Sequence, residues 1–186
     1  MSTPVTGEQR QQPNILITGT PGTGKTTLSE LAALALSFNH VNVSELVKER
    51  ELHDGYDAEF DTYILNDDKL CDELEESLGT VAGGNVVDFH SCELFPERWF
   101  DLVVVLRTDN TVLYDRLAER GYSQRKITEN IECEIMQVVS EEAHDSYKPE
   151  VVVELQSDSV EQMEANTEQI SAWVAQWHAK RSAAGA

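Results

Sequence analysis

Positive charge is scarce in this sequence: 14 Lys and Arg stand against 34 Asp and Glu, a net charge of −20. A surface this acidic repels phosphate backbones unless its few cations are gathered in one place, so a broad grip on nucleic acid is excluded. The same acidity serves solubility, or attracts a basic protein partner. Cysteine is also sparse. Cys71, Cys92 and Cys133 are far apart and odd in number, which suggests neither a disulfide framework nor a zinc cluster and points to a reducing compartment. No apolar run is long enough to cross a bilayer, so no membrane partner is expected. The opening MSTPVTGEQRQQP has no apolar core of a secretory signal. Residues 1–12 are expected to be a disordered lead-in, with order beginning at Pro13. Internal repeats and low-complexity tracts are missing too.

What is present suits one domain over residues 13–186, with 40% hydrophobic and 26% charged residues. Short apolar runs alternate with helical patterns, which predicts an α/β fold around a parallel sheet. Strands are expected at residues 14–19, 41–43, 85–90, 102–107 and 151–155. Helices are expected at 25–37, at 44–50 with Ser44 as cap, at 65–78 and at 111–120. A long helix is predicted over 127–147, because Ile127, Ile131, Ile135 and Val138 recur at spacings of three and four. The polar, glycine-containing stretch 53–62 reads as a loop. A last helix from about Val160 carries Met163, Ile170, Trp173, Val174 and Trp177 on one stripe, read as core packing.

Residues 19–26, Gly-Thr-Pro-Gly-Thr-Gly-Lys-Thr, match G-x-x-x-x-G-K-[ST]. The motif follows an apolar strand and opens an apolar-periodic helix, which is the context that gives it meaning. Its glycines permit backbone angles and close approaches that a Cβ would block. Backbone N–H groups around Gly22, Thr23 and Gly24 then form an anion nest at a helix N-terminus. By this pattern Lys25 reaches the β- and γ-phosphates of a nucleoside triphosphate, the Thr26 hydroxyl ligates Mg²⁺, and Thr27 adds a contact near the α-phosphate. Asp88 ends an apolar strand, so a parallel sheet places it beside the loop, where it would hold a water of the Mg²⁺. His90 follows two residues on and would orient an attacking water or act as a base. Arg107, Arg116, Arg120, Arg125 and Lys126 gather just past the fourth strand. Arg116 and Arg120 share a helix face, and phosphoryl transfer needs cations around the migrating group.

The chain resembles the atypical nuclear adenylate kinases, also described as coilin-interacting nuclear ATPases and ribosome-assembly factors. The resemblance rests on PNILITGTPGTGKTTL at 13–28, VNVSELVKE at 41–49, DGYDAEFDTYILNDDKLCDEL at 54–74, VVDFH at 86–90, FPERWFDLVVVLRTD at 95–109, LYDRLAERGY at 113–122, and KITENIECEIMQV with the SYKPE that follows. It implies a P-loop NTPase fold, a five-stranded parallel sheet flanked by helices, adenylate-kinase-like with a short lid. The monophosphate-binding region would be about 42–65 and the lid about 119–129. Lys48 stands where related kinases usually carry an arginine. The resemblance further implies ATP and AMP as substrates with Mg²⁺, Arg120 on the donor nucleotide, His90 in hydrolysis, and work in the nucleus and cytoplasm on the pre-ribosome through a basic small-subunit ribosomal protein.

Three functions are therefore compatible with the residues. One is a monophosphate kinase converting ATP and AMP to two ADP. The second is an ATPase switch or assembly factor with little kinase activity, favoured by His90 because a kinase must exclude water. The third is a nucleotide-gated binding module for a basic protein, which intact Lys25, Thr26 and Asp88 oppose.

Overall fold

The computed structural model describes residues 10–59 and 61–184. Five parallel strands form the central sheet: β1 (Ile15–Gly19), β2 (Asn39–Asn42), β5 (Asn85–Asp88), β6 (Leu102–Arg107) and β7 (Val152–Gln156). Their spatial order is β2-β5-β1-β6-β7. The strands inside the sheet, β5, β1 and β6, are buried on both faces and mostly apolar. Alternate residues feed two cores. Ile15, Ile17, Val86, Val104 and Leu106 face α1 (Lys25–Leu36) and α7 (Val160–Ala184). On the other face, Leu16, Val87, Val103 and Val105 pack with α2 (Val43–Glu49), α3 (Asp67–Leu78) and α6 (Val138–Ser146). Two further helices, α4 (Asn110–Glu119) and α5 (Gln124–Ile135), pair beside the sheet edge around Leu113, Leu117 and Ile127.

The chain leaves β1 toward β2 on one side and later returns to β6 on the other. The carboxyl end of β1 is thus the point where winding reverses, and a crevice opens there. Gly19 of β1, Asp88 of β5 and Arg107 of β6 all end at this edge. The expected α/β architecture is therefore observed, and so is the expected location of the motif.

Four local expectations are corrected. Residues 53–62 are not a loop: β3 (His53–Asp57) and β4 (Thr62–Leu65) form an antiparallel hairpin. Cross-strand rings hold it, with Tyr63 centred 4.4 Å from His53 and 5.4 Å from Tyr56, contacts that polar composition conceals. The helix at 44–50 begins a residue earlier, because Asn42 accepts the Glu45 N–H at 3.2 Å and so takes the capping role given to Ser44. Asn66 caps α3 in the same way, leaving Leu65 in a strand. The long helix over 127–147 is broken in two at Gln137, whose φ is 57°. Two members of its apparent apolar stripe face solvent: Ile135 is 55% and Val138 37% exposed. The break lets α6 turn Ala143 inward, with Tyr147 buried just beyond its end.

Placed structure also begins before Pro13. Residues 1–9 lie outside the described residues, but Arg10, Gln11 and Gln12 are placed. Gln11 and Gln12 donate backbone N–H groups to Val81 and Ala82 carbonyls. The Arg10 side chain is fully buried and donates to Asp101 at 2.8 Å and to the Arg98 carbonyl. Burial raises the Asp101 pKa despite this cation and the Asn14 N–H that it also accepts. Removing one partner from a buried pair strands the other. Arg10→Ala is thus expected to cost about 3–5 kcal/mol, lowering the thermal midpoint by roughly 6–20 °C. A melt unchanged within 2 °C, read by circular dichroism, contradicts this placement.

Candidate active site

The loop between β1 and α1 turns on glycines that no other residue replaces. Gly22 has φ 96°, and a Cβ there would meet Leu113 Cδ1 at 2.8 Å and Leu117 Cδ2 at 2.9 Å. Gly24, at φ 93°, is the left-handed residue from which α1 springs. Thr23 closes the bend by donating its N–H at 3.2 Å and its hydroxyl at 2.8 Å to the Thr20 carbonyl. Its side chain thus braces the loop, whereas its backbone belongs to the nest. Helix α1 has no acidic residue in its first turn and no side-chain cap. Its N-terminal N–H groups and dipole consequently face the crevice uncompensated, the electrostatic condition for receiving an anion.

Lys25 folds back over this loop, with Nζ donating to the carbonyls of Gly19 at 2.9 Å and Thr20 at 3.2 Å. Burial presses its pKa down to about 8, against the upward pull of Asp88; Arg120 lowers it further and Glu134 raises it. Lys25 is therefore a desolvated cation facing the carboxylate that ends β5. Thr26 and Thr27 follow on the exposed first turn of α1.

Asp88 is buried, and its Oδ2 has no hydrogen-bond partner among the described residues. An orphaned carboxylate oxygen beside a hydroxyl-bearing helix start fits a hydrated Mg²⁺: Thr26 would supply a direct ligand and Asp88 would accept from a metal-bound water. His40 Nε2 lies 3.7 Å from Asp88 Oδ2. Sequence reasoning missed this histidine, which sits on β2 with no motif around it. His90 lies just past β5, its ring centred 4.4 Å from that of Phe89. Its pKa is pushed below the ordinary imidazole value, first by desolvation and then by the Lys25 charge. The residue nonetheless reaches solvent, so a neutral imidazole is presented where water has access.

The cation cluster divides. Arg107 is committed to the scaffold: Nε donates to Glu134 at 2.8 Å and Nη1 to Glu154 at 3.2 Å. Buried Glu134 also accepts the Thr108 N–H at 3.1 Å and the Thr20 hydroxyl at 2.6 Å, tying the end of α5 to the loop. Arg116 donates to the Ser157 carbonyl at 2.8 Å and, more weakly, to the Gly22 carbonyl at 3.4 Å. No hydrogen bond or ion pair engages the Arg120 side chain among the described residues. Arg120 lines an open cavity of about 430 Å³ together with Arg116, Gly22, Gly24, Thr27, Glu119 and Met163, beside the start of α1. Farther out, Arg125 approaches Glu59 at 3.8 Å and Lys126 approaches Asp61 at 3.9 Å. These pairs join the helix start after residues 119–123 to the β3–β4 hairpin across the crevice. Lys48 is exposed on α2, and Arg50 approaches Glu73 at 3.8 Å.

Comparison with known proteins agrees with this geometry. The model of a family described as an AAA domain matches residues 15–137. A relative from Dictyostelium discoideum, named adenylate kinase isoenzyme 6 homolog, is 58% identical over 174 residues, covering 94% of this chain and 98% of its own. Relatives of the same name from Caenorhabditis elegans and Schizosaccharomyces pombe are 51% and 50% identical, each across 91% of this chain and 92% and 96% of their own. Among solved structures, a shikimate kinase from Bacteroides thetaiotaomicron superposes with a TM-score of 0.57 at 16% identity, over 87% of this chain and 98% of that one. A gluconokinase from Sinorhizobium meliloti 1021 gives 0.57 at 15% identity, over 92% and 98%. At such identities these two show the fold alone, that of a P-loop kinase.

The two arginines of α4 are expected to separate by experiment. Arg116→Ala removes a charged donor from the Ser157 carbonyl, which keeps the Thr108 hydroxyl, at a cost of about 1.5–3 kcal/mol in stability. Arg120→Ala is expected to leave stability within about 0.5 kcal/mol while weakening nucleotide binding. Thermal melts paired with titration calorimetry check this; equal destabilisation by both substitutions contradicts the division.

Proposed function

The chain belongs to the adenylate kinase isoenzyme 6 family, and from that premise we propose that it is a Mg²⁺-dependent kinase moving the γ-phosphoryl group of ATP to AMP, with hydrolysis of ATP in the same site. The observation that carries the reading is the meeting, at one sheet edge, of the glycine nest, the desolvated Lys25 and the unpartnered Asp88 oxygen. Phosphoryl transfer has little covalent chemistry for a protein to perform, so positioning and charge do the catalysis.

The nest around Gly22, Thr23 and Gly24 receives the β-phosphate on backbone N–H groups. Lys25 exchanges its carbonyl contacts for the β- and γ-phosphate oxygens, where its charge offsets the negative charge that grows in the transition state. Thr26 and Asp88 would hold Mg²⁺, the latter through water, and the metal would supply charge neutralisation at the phosphates. Thr27 contacts the α-phosphate, and Arg120 with Met163 borders the cavity open to the donor's nucleoside. The acceptor is received by residues 42–65, with Lys48 as a point charge for its phosphate in place of a bidentate arginine fork. The pairs joining the hairpin to residues 125 and 126 support closure of a short lid over the phosphates.

A solvent-reaching, neutral His90 favours hydrolysis as a true second activity, since it can orient water at the γ-phosphate when no acceptor is bound. The proposal extends to the setting that the family resemblance implies, maturation of the small ribosomal subunit in nucleus and cytoplasm. The net charge of −20 supports a basic ribosomal protein as partner.

A coupled assay of ADP and phosphate release, with and without AMP, tests the reading. Lys25→Ala is expected to lower both activities by about 100-fold or more. His90→Ala is expected to slow phosphate release and spare ATP binding. Near-normal turnover in folded Lys25→Ala overturns the catalytic reading; loss of ATP binding in His90→Ala assigns the histidine a structural role instead.

A further inference from the structure

The last backbone pair between β1 and β6 sets Gly19 opposite Leu106. Beyond it the two chains part: one turns into the phosphate loop at Thr20, the other passes Arg107 into Thr108. A side chain from a distant helix bridges them. Glu134, buried at the end of α5, accepts the Thr20 hydroxyl on Oε2 at 2.6 Å. Its Oε1 accepts the Thr108 N–H at 3.1 Å and Arg107 Nε at 2.8 Å. Arg107 Nη2 also donates to the Glu134 carbonyl at 3.1 Å. Both carboxylate oxygens are thus engaged by protein donors. Thr20, itself buried, is where the contacts within the loop converge. Its carbonyl accepts the Thr23 N–H at 3.2 Å, the Thr23 hydroxyl at 2.8 Å and Lys25 Nζ at 3.2 Å. One peptide plane therefore sets both the bend that forms the anion nest and the place where Lys25 rests.

We propose that Glu134 is a positioning residue for phosphoryl transfer: by holding the Thr20 side chain it fixes the Thr20 peptide, and through it the nest and Lys25, in the geometry that receives phosphate. The bonds that the Thr20 carbonyl accepts all come from inside the loop, so they turn with the loop. The bond to Glu134 comes from outside it, and a hydrogen bond to an ionised acceptor is among the stronger ones in a protein. The anchor is itself fixed, because Arg107 ends β6 and Thr108 follows it. The Glu134 charge has a second effect in the same direction: burial opposes the charge of Lys25, while Asp88 and then Glu134 support it. Phosphoryl transfer depends on the exact placing of the groups around the phosphates, so a small displacement of the loop slows it. Glu134 acts through Thr20 and touches no reacting atom. The inference rests on the phosphoryl-transfer reading and adds to it a residue more than a hundred positions away from the loop motif, at the end of α5.

The test is a double-mutant cycle on the full chain, read as kcat and the KM for ATP in the coupled assay with AMP, at a temperature where thermal melts show every variant folded. Thr20→Val keeps the branched shape and removes the donor; it is expected to lower kcat about 10-fold, more than it raises the KM for ATP. Thr20→Ser keeps the donor and is expected to hold kcat within about twofold of the unmodified protein. In Glu134→Gln, the donors from Arg107 and Thr108 keep the amide oxygen on their side, so an amide nitrogen faces Thr20 in place of its acceptor. This variant is expected to lose kcat as Thr20→Val does. Adding Thr20→Val to Glu134→Gln is then expected to cost less than about a further twofold. A kcat for Thr20→Val within about twofold of the unmodified protein overturns the proposal. So does a repeat of the full loss when Thr20→Val is added to Glu134→Gln, which separates the two residues. A lowered melting midpoint in Glu134→Gln with undiminished kcat overturns it as well, marking a purely structural residue. Absence of any turnover in the unmodified protein overturns the phosphoryl-transfer reading itself, and this inference with it.

Discussion

A partly buried lysine held against two backbone carbonyls, opposite a buried carboxylate, is the interaction on which the rest of this structure depends. Lys25 sits where burial opposes its charge, and Asp88 alone does not compensate. Such a cation is tolerated because carbonyls of Gly19 and Thr20 accept from it. Those carbonyls converge only because the loop bends through left-handed glycines, and the bend fits only because Gly22 leaves room for Leu113 and Leu117 of α4. Sheet order, helix packing and loop conformation are thus conditions for one electrostatic arrangement. A polyanion would relieve it: phosphate oxygens would replace carbonyls with full negative charge beside a cation that burial has desolvated.

Helices α4 and α5 are tied into the same arrangement by charged side chains. Arg116 of α4 reaches the Ser157 and Gly22 carbonyls, and Glu134 of α5 accepts the Thr20 hydroxyl. Displacement of either helix therefore bears on the loop directly. Arg107, which completes the Glu134 cluster, spends its charge on that connection and not on a ligand. Arg120 stands apart, with no such tie among the described residues and a cavity beside it. Within one cluster of cations, which side chains are tied down follows from which carboxylates and carbonyls lie within reach.

Much of this was legible in the sequence, for physical reasons that can be named. Strands buried on both faces are written as apolar runs, so β1, β5 and β6 were found; the phosphate loop is written in glycines whose spacing chemistry dictates. The break at Gln137 was hidden because three-and-four spacing continues through it, while Ile135 and Val138 point outward. The β3–β4 hairpin was hidden because its ring contacts join residues that read singly as polar. Arg10 was hidden because its partner, Asp101, is far along the chain. His40 was missed for the same reason: its relation to Asp88 exists only once β2 lies beside β5. Local pattern reveals elements and loops; pairings between distant polar side chains appear only in three dimensions.

The central claim is that the γ-phosphoryl group is transferred at the β1–α1 loop, to AMP when it is bound and to water when it is not. It is tested most directly by following the label of γ-³²P ATP through chromatographic separation of products. With AMP and Mg²⁺ present, the account predicts label in ADP; without AMP, it predicts slower appearance of label in inorganic phosphate, and chelation of the metal stops both. Label that stays in ATP under all of these conditions, with ATP demonstrably bound, contradicts the account and leaves a nucleotide-gated binding module in its place.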